Sequence, residues 1–222
     1  MSNEDNLVID IFKEISQIPR CSGNEKNISN FIKNKYKKLG FDVKQDKFYN
    51  IFIKKPASVG YEDKPGVILQ AHMDMVCEKA HDSNHDFEKD PIELKFDGDY
   101  MYANKTTLGA DDGIGLATAL ALLEDEDVKH PNLEVVITTS EETGMDGAIG
   151  FDKSLLKGQY MINIDSDEEG FLTASSAGGT EGKFSLDVER GPINPNNTKT
   201  YEIDLRGLKG GHSGAQIANI HV

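Results

Sequence analysis

The stretch VILQAHMD, residues 67–74, joins a short apolar run to a polar end. Its first part, VILQ at 67–70, has the Val- and Ile-rich character of a buried strand, as have LEVVITT at 133–139 and YMINI at 160–164. Residues 114–123 are apolar nearly all round, which predicts a buried helix between the first two strands. Strands that alternate with helices predict an α/β fold, with a mainly parallel sheet flanked by helices.

Two amphipathic helices are predicted ahead of these strands. Residues 4–18 carry apolar side chains at helical spacing, and a second helix is expected from about residue 23 to 39. Ser22 and Glu25 have the spacing of a capping box at its start, and Gly40 lies where a C-terminal glycine is expected. Residues 76–108 read as a long irregular connection of the kind that often lines a site.

Imidazole and carboxylate side chains follow all three predicted strands and precede the buried helix. The carboxyl ends of parallel strands meet at one edge of a sheet, where ligands bind in open α/β folds. Carboxylates crowded there repel one another unless a cation neutralises them, so the pattern predicts a metal site. The set consists of His72, Asp74, Asp111, Asp112, Glu141, Glu142 and Asp165.

Composition narrows the class of partner. The formal net charge is −14, which argues against nucleic acid or an anionic membrane surface as the main partner. The first residues lack the long apolar core of a secretory signal, and the longest apolar stretch, residues 114–123, is too short to span a bilayer. Two cysteines do not make a disulfide framework, so we expect a reducing, cytoplasmic location, with Cys21 structural and Cys77 packed near the site.

Four short motifs together resemble the co-catalytic zinc exopeptidases, which include aminoacylases, carboxypeptidase G and several bacterial dipeptidases. These motifs are HMD at 72–74, GADDG at 109–113, SEETG at 140–144 and NID at 163–165. The flanking sequences are similar to the aminoacyl-histidine (Xaa-His) dipeptidase branch, which cleaves dipeptides such as β-alanyl-histidine. They are IPRCSGNE at 18–25, QAHMDMVCEK at 70–79, HDFEKDPI at 85–92 and TTLGADDGIGLA at 106–117.

The resemblance implies a Zn²⁺ cofactor, two ions per complete active site, with Mn²⁺ or Co²⁺ as substitutes. His72 would bind one zinc, with Asp74 on its other ring nitrogen to fix the tautomer. Asp111 would bridge both metals, Asp165 would complete the first site, and Glu142 would bind the second. The family's second zinc also takes a histidine from near the C-terminus of a longer chain, and this sequence offers no counterpart. We therefore expect it to bind one metal better than two, and we leave open whether it is active alone.

The resemblance also implies three features of catalysis. Glu141 would not be a ligand but the general base, which takes a proton from water held between the metals. His212, in KGGHSG at 209–214, would stabilise the substrate carbonyl oxygen as negative charge develops. The peptide bond between Asp111 and Asp112 is expected to be cis.

The pattern of apolar and polar residues changes near Gly178, which indicates a second domain. FSLDV at 184–188 and YEIDL at 201–205 alternate apolar and polar residues, which predicts half-exposed strands. We therefore predict that residues 1–180 form the N-terminal part of a zinc-binding catalytic domain. Residues 181–222 would begin a smaller α+β domain of the lid or dimerisation type, and the sequence leaves a homodimer open.

The expected activity is zinc-dependent hydrolysis of dipeptides, with Xaa-His dipeptides as the leading substrates implied by the resemblance. Other members of the family, a tripeptide aminopeptidase or an N-acyl amino acid deacylase, remain alternatives. A non-catalytic metal-binding fragment is a third, although Glu141 argues against it because a structural metal site needs no free base. A calcium module is disfavoured because His72 is a zinc-type ligand.

Overall fold

The computed structural model describes residues 3–166, 170–175, 182–192, 194, 196 and 198–204. The chain divides into two units, Met1–Phe171 and Leu172–Val222. The helices are α1 Asn3–Ile15, α2 Lys26–Lys38, α3 Ala110–Glu124 and α4 Asp146–Gly150. The strands are β1 Asp42–Gln45, β2 Ile51–Lys55, β3 Val67–His72, β4 Leu94–Asp97, β5 Tyr100–Ala103, β6 Leu133–Thr138 and β7 Tyr160–Asn163.

Five strands of the first unit form one sheet in the order β1-β2-β6-β3-β7. Strand β3 pairs in parallel with both β6 and β7, whereas β2 runs antiparallel to β1 and β6. The α/β class and the three strands predicted at 67–70, 133–139 and 160–164 are confirmed. The parallel part of the sheet is confined to those three strands, and the two antiparallel strands had not been predicted.

Strand alternation divides the apolar side chains between the two faces of the sheet. Ile51, Leu69 and Val135 face a large core that they share with residues of α1, α2 and α3. Phe52 and Val136, on the opposite face, belong to a smaller cluster with Phe151, which follows α4. Helix α3 is largely buried, as its sequence predicted, with Leu116, Leu120 and Leu123 in the large core, although Ile114 is 40% exposed.

The ends of α2 differ from the expected capping pattern. Gly40 has a φ of 90°, so it adopts the left-handed conformation expected just beyond a helix. At the other end Glu25 is the N-cap residue, but its side chain makes no capping hydrogen bond to the helix. The predicted capping box is therefore wrong, and both of its side chains are used elsewhere, as described below.

The connection 76–108 contains more regular structure than predicted. Strands β4 and β5 form an antiparallel hairpin in which Asp97 is opposite Tyr100. Gly98, with a φ of 59°, supplies the positive φ that such a two-residue turn requires. No helix of the described residues is long and apolar enough to cross a membrane.

The predicted strands of the second unit are not found in its described part. Residues 184–188 and 201–204 carry no regular secondary structure, and residue 205 lies outside the described residues. Phe184 and Leu186 are almost fully exposed. An alternating pattern becomes a strand only where a neighbouring segment accepts its backbone hydrogen bonds, so the pattern alone does not secure a strand.

Candidate metal centre

The candidate site lies at the carboxyl ends of the three parallel strands. His72 is the last residue of β3, Glu141 and Glu142 follow β6 in a short 3-10 turn, and Asp165 follows β7. Asp111 lies at the start of α3, where it departs from helical geometry. Four separate segments therefore bring their polar ends to one edge of the sheet.

His72 is held in one orientation by Asp74. Its Nδ1 lies 3.1 Å from the carbonyl oxygen and 3.3 Å from Oδ1 of Asp74, and both side chains are buried. Because both partners can only accept, Nδ1 must carry the proton. Nε2 is thereby left on the side of the ring that faces the other carboxylates.

Three carboxylates surround Nε2 of His72. It lies 3.1 Å from Oδ1 of Asp111, 3.7 Å from Oδ2 of Asp165 and 3.9 Å from Oε2 of Glu141. The potential ligand atoms form two overlapping groups, His72 with Asp111 and Glu142, and His72 with Glu141 and Asp165. Within each group all ligand atoms lie within 4.8 Å of one another, which is close enough to share one ion.

The electrostatic environment of these side chains favours a cation. Burial alone would lower the pKa of His72, but Asp74, Asp112 and Asp165 raise it to about 9. Burial raises the pKa of Glu141, and nearby Asp165 adds to the effect. The carboxylates are thus crowded and partly desolvated around an imidazole, and a positive charge beside Nε2 would relieve their repulsion.

The donor set fits zinc chemically. A ring nitrogen with several carboxylate oxygens is a ligand combination that zinc accepts, whereas calcium prefers oxygen alone. The hydrogen bond of the outer ring nitrogen to Asp74 is the usual support of a metal-binding histidine. Each of the residues predicted as ligands, His72, Asp111, Glu142 and Asp165, belongs to one of the two groups of potential ligand atoms that share His72.

Asp74 serves more than one neighbour. Its Oδ1 accepts the backbone N–H of Glu141 at 3.1 Å, and its Oδ2 accepts the backbone N–H of Glu142 at 3.3 Å. Oδ2 also accepts the hydroxyl of Ser22 at 2.7 Å. Burial would raise the pKa of Asp74, but hydrogen bonds from His72, Ser22 and the Glu141 amide lower it below its usual range.

Sequence reasoning missed how Ser22 and Glu25 act, because their spacing matched a helix cap. The carboxylate of Glu25 is buried and accepts the backbone N–H of Ser140 at 3.0 Å and its hydroxyl at 3.1 Å. Ser140 has a φ of 56° immediately before the Glu141–Glu142 pair. The segment before α2 therefore fixes the loop after β6.

Asp112 was also part of the motif but had no assigned role. It is buried, and its Oδ2 accepts the backbone N–H of His72 at 3.1 Å. Burial raises its pKa to about 7, although the hydrogen bond from His72 lowers it. The peptide bond between Asp111 and Asp112 is cis, as predicted. The feature of the sequence that could have pointed to Asp112 is its position next to Asp111, a predicted ligand.

The two cysteines form a disulfide, whereas the sequence predicted a reducing location with Cys21 structural and Cys77 packed near the site. Cys21 and Cys77 are far apart in sequence. An isolated parallel bridge pairs Cys21 with Met75, and the Cα atoms of Cys21 and Cys77 are 5.7 Å apart. Sequence alone could not reveal this proximity, which depends on how the segment after α1 packs on the end of β3. His212, the predicted oxyanion residue, lies outside the described residues.

An open cavity adjoins the site. It has a volume of about 410 Å³, and Glu141 and Asp165 form one side of it. Met145, Phe151 and Met161 give the remainder a mainly apolar lining. Its position beside the carboxylate cluster makes it a candidate for the side-chain pocket of a substrate.

Comparison with known proteins identifies relatives of this arrangement. The chain is 47% identical over 208 residues to the cytosol non-specific dipeptidase of Escherichia coli strain K12, an alignment that covers 94% of this chain and 43% of that protein. The structure is similar to that of an aminoacylhistidine dipeptidase from Vibrio alginolyticus, with a TM-score of 0.72 and 44% identity over 76% of this chain and 35% of the other.

A more distant likeness is to a tripeptidase from Staphylococcus aureus, with a TM-score of 0.62 and 28% identity over 75% of this chain and 44% of the other. The chain therefore spans less than half the length of each of these relatives. Residues 68–209 match the sequence profile of peptidase family M20/M25/M40. With that match and the 47% identity along nearly its whole length, the chain belongs to peptidase family M20/M25/M40.

Proposed function

We propose that this chain supplies the metal-binding site of a zinc-dependent dipeptidase. The observation that carries the proposal is the environment of His72, whose Nδ1 is held by Asp74 while Nε2 faces Asp111, Glu141 and Asp165. A buried imidazole surrounded by acidic side chains has little structural purpose but is well suited to a metal ion. The relatives' names support peptide hydrolysis as the reaction.

The proposed ligands are His72, Asp111, Glu142 and Asp165, with two zinc ions in the complete site. Zinc bound there would supply a Lewis acid that polarises the peptide carbonyl and lowers the pKa of a water molecule. The protein's own part is to aim Nε2 through Asp74 and to hold the Glu141–Glu142 pair through their backbone N–H groups.

Glu141 is the proposed general base. Its side chain is about one quarter exposed, on the wall of the open cavity, so it can reach a water molecule and a substrate. Burial raises the pKa of its carboxyl above the ordinary value, which makes it a better proton acceptor than an exposed carboxylate. It would take a proton from the attacking water and pass it to the leaving amine. His212 remains the proposed oxyanion residue.

Dipeptides are the proposed substrates, with a preference for histidine at the C-terminal position. The relatives with the higher identities are named as dipeptidases, one non-specific and one for aminoacylhistidine. The tripeptidase relative is less similar and makes tripeptides the second candidate. We also propose a cytoplasmic location, in keeping with the name of the Escherichia coli relative, and no nucleic-acid or membrane partner; a homodimer stays open.

The experiment is hydrolysis of a panel of dipeptides, tripeptides and N-acyl amino acids by the full-length gene product, with added zinc and with a chelator. Chelator-sensitive cleavage that favours peptides ending in histidine supports the proposal in full. Cleavage restricted to tripeptides or acyl amino acids keeps the metal site and replaces the substrate. Binding of zinc without cleavage of any panel member rejects the dipeptidase assignment.

A further inference from the structure

Arg20 is a buried cation between two of the four segments that carry predicted metal ligands. Its side chain is only 2% exposed and is among the largest fully buried side chains of the described residues. One neighbouring segment is the end of β3, His72, with the residues just after it, and the other precedes the regular part of α3 and carries Asp111. Arg20 belongs to neither segment and contacts both.

The guanidinium hydrogen bonds join the two segments directly. Nη1 donates to the carbonyl oxygen of Met73 at 3.0 Å and to that of Asp74 at 3.3 Å. Nη2 donates to the carbonyl oxygen of Gly109 at 2.5 Å. The Asp74 carbonyl also lies 3.1 Å from Nδ1 of His72, so the guanidinium is one hydrogen bond removed from the imidazole ring.

The glycines of the GADDG motif make room for this guanidinium. A Cβ atom on Gly109 would lie 2.6 Å from Nη2, and one on Gly113 would lie 2.5 Å from the same atom. Larger residues at these positions would therefore displace Arg20 or the loop. The space beside the Asp111–Asp112 pair is shaped to fit the arginine.

The chemistry of this position requires an arginine. A planar guanidinium can donate to several carbonyls in different directions, whereas a lysine ammonium is a compact point charge. Burial lowers the pKa of Arg20 to about 10, and the nearby carboxylates of Asp74, Asp112 and Asp111 oppose that change. The side chain therefore stays charged at neutral pH.

We infer that Arg20 is a positioning residue, which sets the separation of His72 and Asp111 by holding the carbonyls of Met73, Asp74 and Gly109. The inference rests on the proposed metal site and adds to it a residue that touches neither metal nor substrate. Its role is to keep two ligands from different parts of the chain at the spacing one ion needs. Loss of this link should weaken metal binding by more than a loss of folding stability alone would explain.

The test is the zinc affinity of the full chain, measured by competition with a chromophoric chelator, for the wild type, Arg20→Lys and Arg20→Met. Supporting partners of metal ligands typically change affinity about 10–100-fold, and we expect a loss in that range for Arg20→Met. Arg20→Lys keeps the charge but cannot span both loops, so an intermediate loss of about tenfold is expected. Arg190→Met, at an exposed arginine, is the matched control.

Thermal unfolding of each metal-free and zinc-loaded chain separates positioning from simple stability. A positioning residue reduces the rise in unfolding temperature that zinc produces, because that rise follows the affinity for the folded state. Equal zinc affinity in the wild type and Arg20→Lys overturns the inference, and Arg20→Lys decides the matter if Arg20→Met does not fold. If the wild type fails to bind zinc, the proposed metal site falls and the inference falls with it.

Discussion

The backbone N–H of Glu141 donates a 3.1 Å hydrogen bond to Oδ1 of Asp74, which joins the loop after β6 to the loop after β3. The same carboxylate lies beside Nδ1 of His72. One buried side chain therefore orients the imidazole and also places the acidic pair that follows β6. We therefore expect zinc binding to respond to a change at Asp74, although it is outside the proposed ligand set.

Replacing Asp74 with Asn should weaken zinc binding about 10–100-fold, the usual cost of losing a histidine's supporting carboxylate. The asparagine amide has nearly the same shape as the carboxylate but no charge. Its NH₂ group would face N–H and O–H donors that now find an acceptor in Asp74. Zinc titration of the full chain measures the change. Asp63→Asn, at an exposed carboxylate, should leave the affinity unchanged. An unchanged affinity in Asp74→Asn would contradict the role given to Asp74.

Glu141→Gln should abolish peptide hydrolysis by the full-length protein and leave its zinc content unaltered, because the amide cannot accept the proton. Glu142→Gln should instead lower the zinc content. Measuring metal content and turnover on the same samples separates the two roles. Since Glu141 also lies in a group of potential ligands with His72 and Asp165, loss of zinc from Glu141→Gln would make it a ligand.

Ser22→Ala should lower the free energy of unfolding by about 1–3 kcal/mol and also weaken zinc binding, because the variant removes a hydrogen bond to a buried carboxylate. A lost helix cap would affect stability alone. Urea unfolding and zinc titration distinguish these outcomes. Ser175→Ala, at an exposed serine, is the control. A change of stability with unaltered zinc affinity would mean that the contact with Asp74 has no influence on the site.

Gly115→Ala should destabilise the protein, although alanine is normally better than glycine in a helix by about 1 kcal/mol. The added Cβ would overlap Oδ1 of Asp112, which is buried and accepts the His72 backbone N–H through its other oxygen. The expected loss is roughly 1–3 kcal/mol in denaturant unfolding. Gly191→Ala, where a Cβ meets nothing within 4 Å, should be nearly neutral. Stabilisation by Gly115→Ala would show that Asp112 can move freely.

Reduction of the Cys21–Cys77 bridge should lower the free energy of unfolding by as much as about 4 kcal/mol, from the closure entropy of a loop of this length. Thermal unfolding with and without a reductant measures the effect. The Cys21→Ser, Cys77→Ser double variant should not respond to reductant. An equal response of wild type and double variant would mean that the bridge is not formed. In a cytoplasmic location the protein would have to be stable without it, since disulfides are rare there.

The candidate site was largely predictable because its residues follow local rules. Apolar runs of strand length, with metal-type side chains directly after them, locate His72, Glu141 and Asp165 at one edge of a parallel sheet. The GADDG motif placed Asp111 beside them at the start of a buried helix. Each inference needed only residues adjacent in sequence, together with the general geometry of α/β folds.

Sequence by itself therefore determined the α/β class, the three parallel strands and the residues that gather at their ends. Only the tertiary structure decided what supports them: the guanidinium of Arg20, the hydroxyl of Ser22, the carboxylate of Glu25 and the Cys21–Cys77 bridge. These contacts join segments far apart in the chain, and no periodicity reports them. The spacing of Ser22 and Glu25 also fitted a helix cap. In the folded chain Ser22 instead donates to the buried carboxylate of Asp74, and Glu25 accepts from the loop at Ser140. A pattern of neighbouring residues cannot reveal partners that are distant in the sequence.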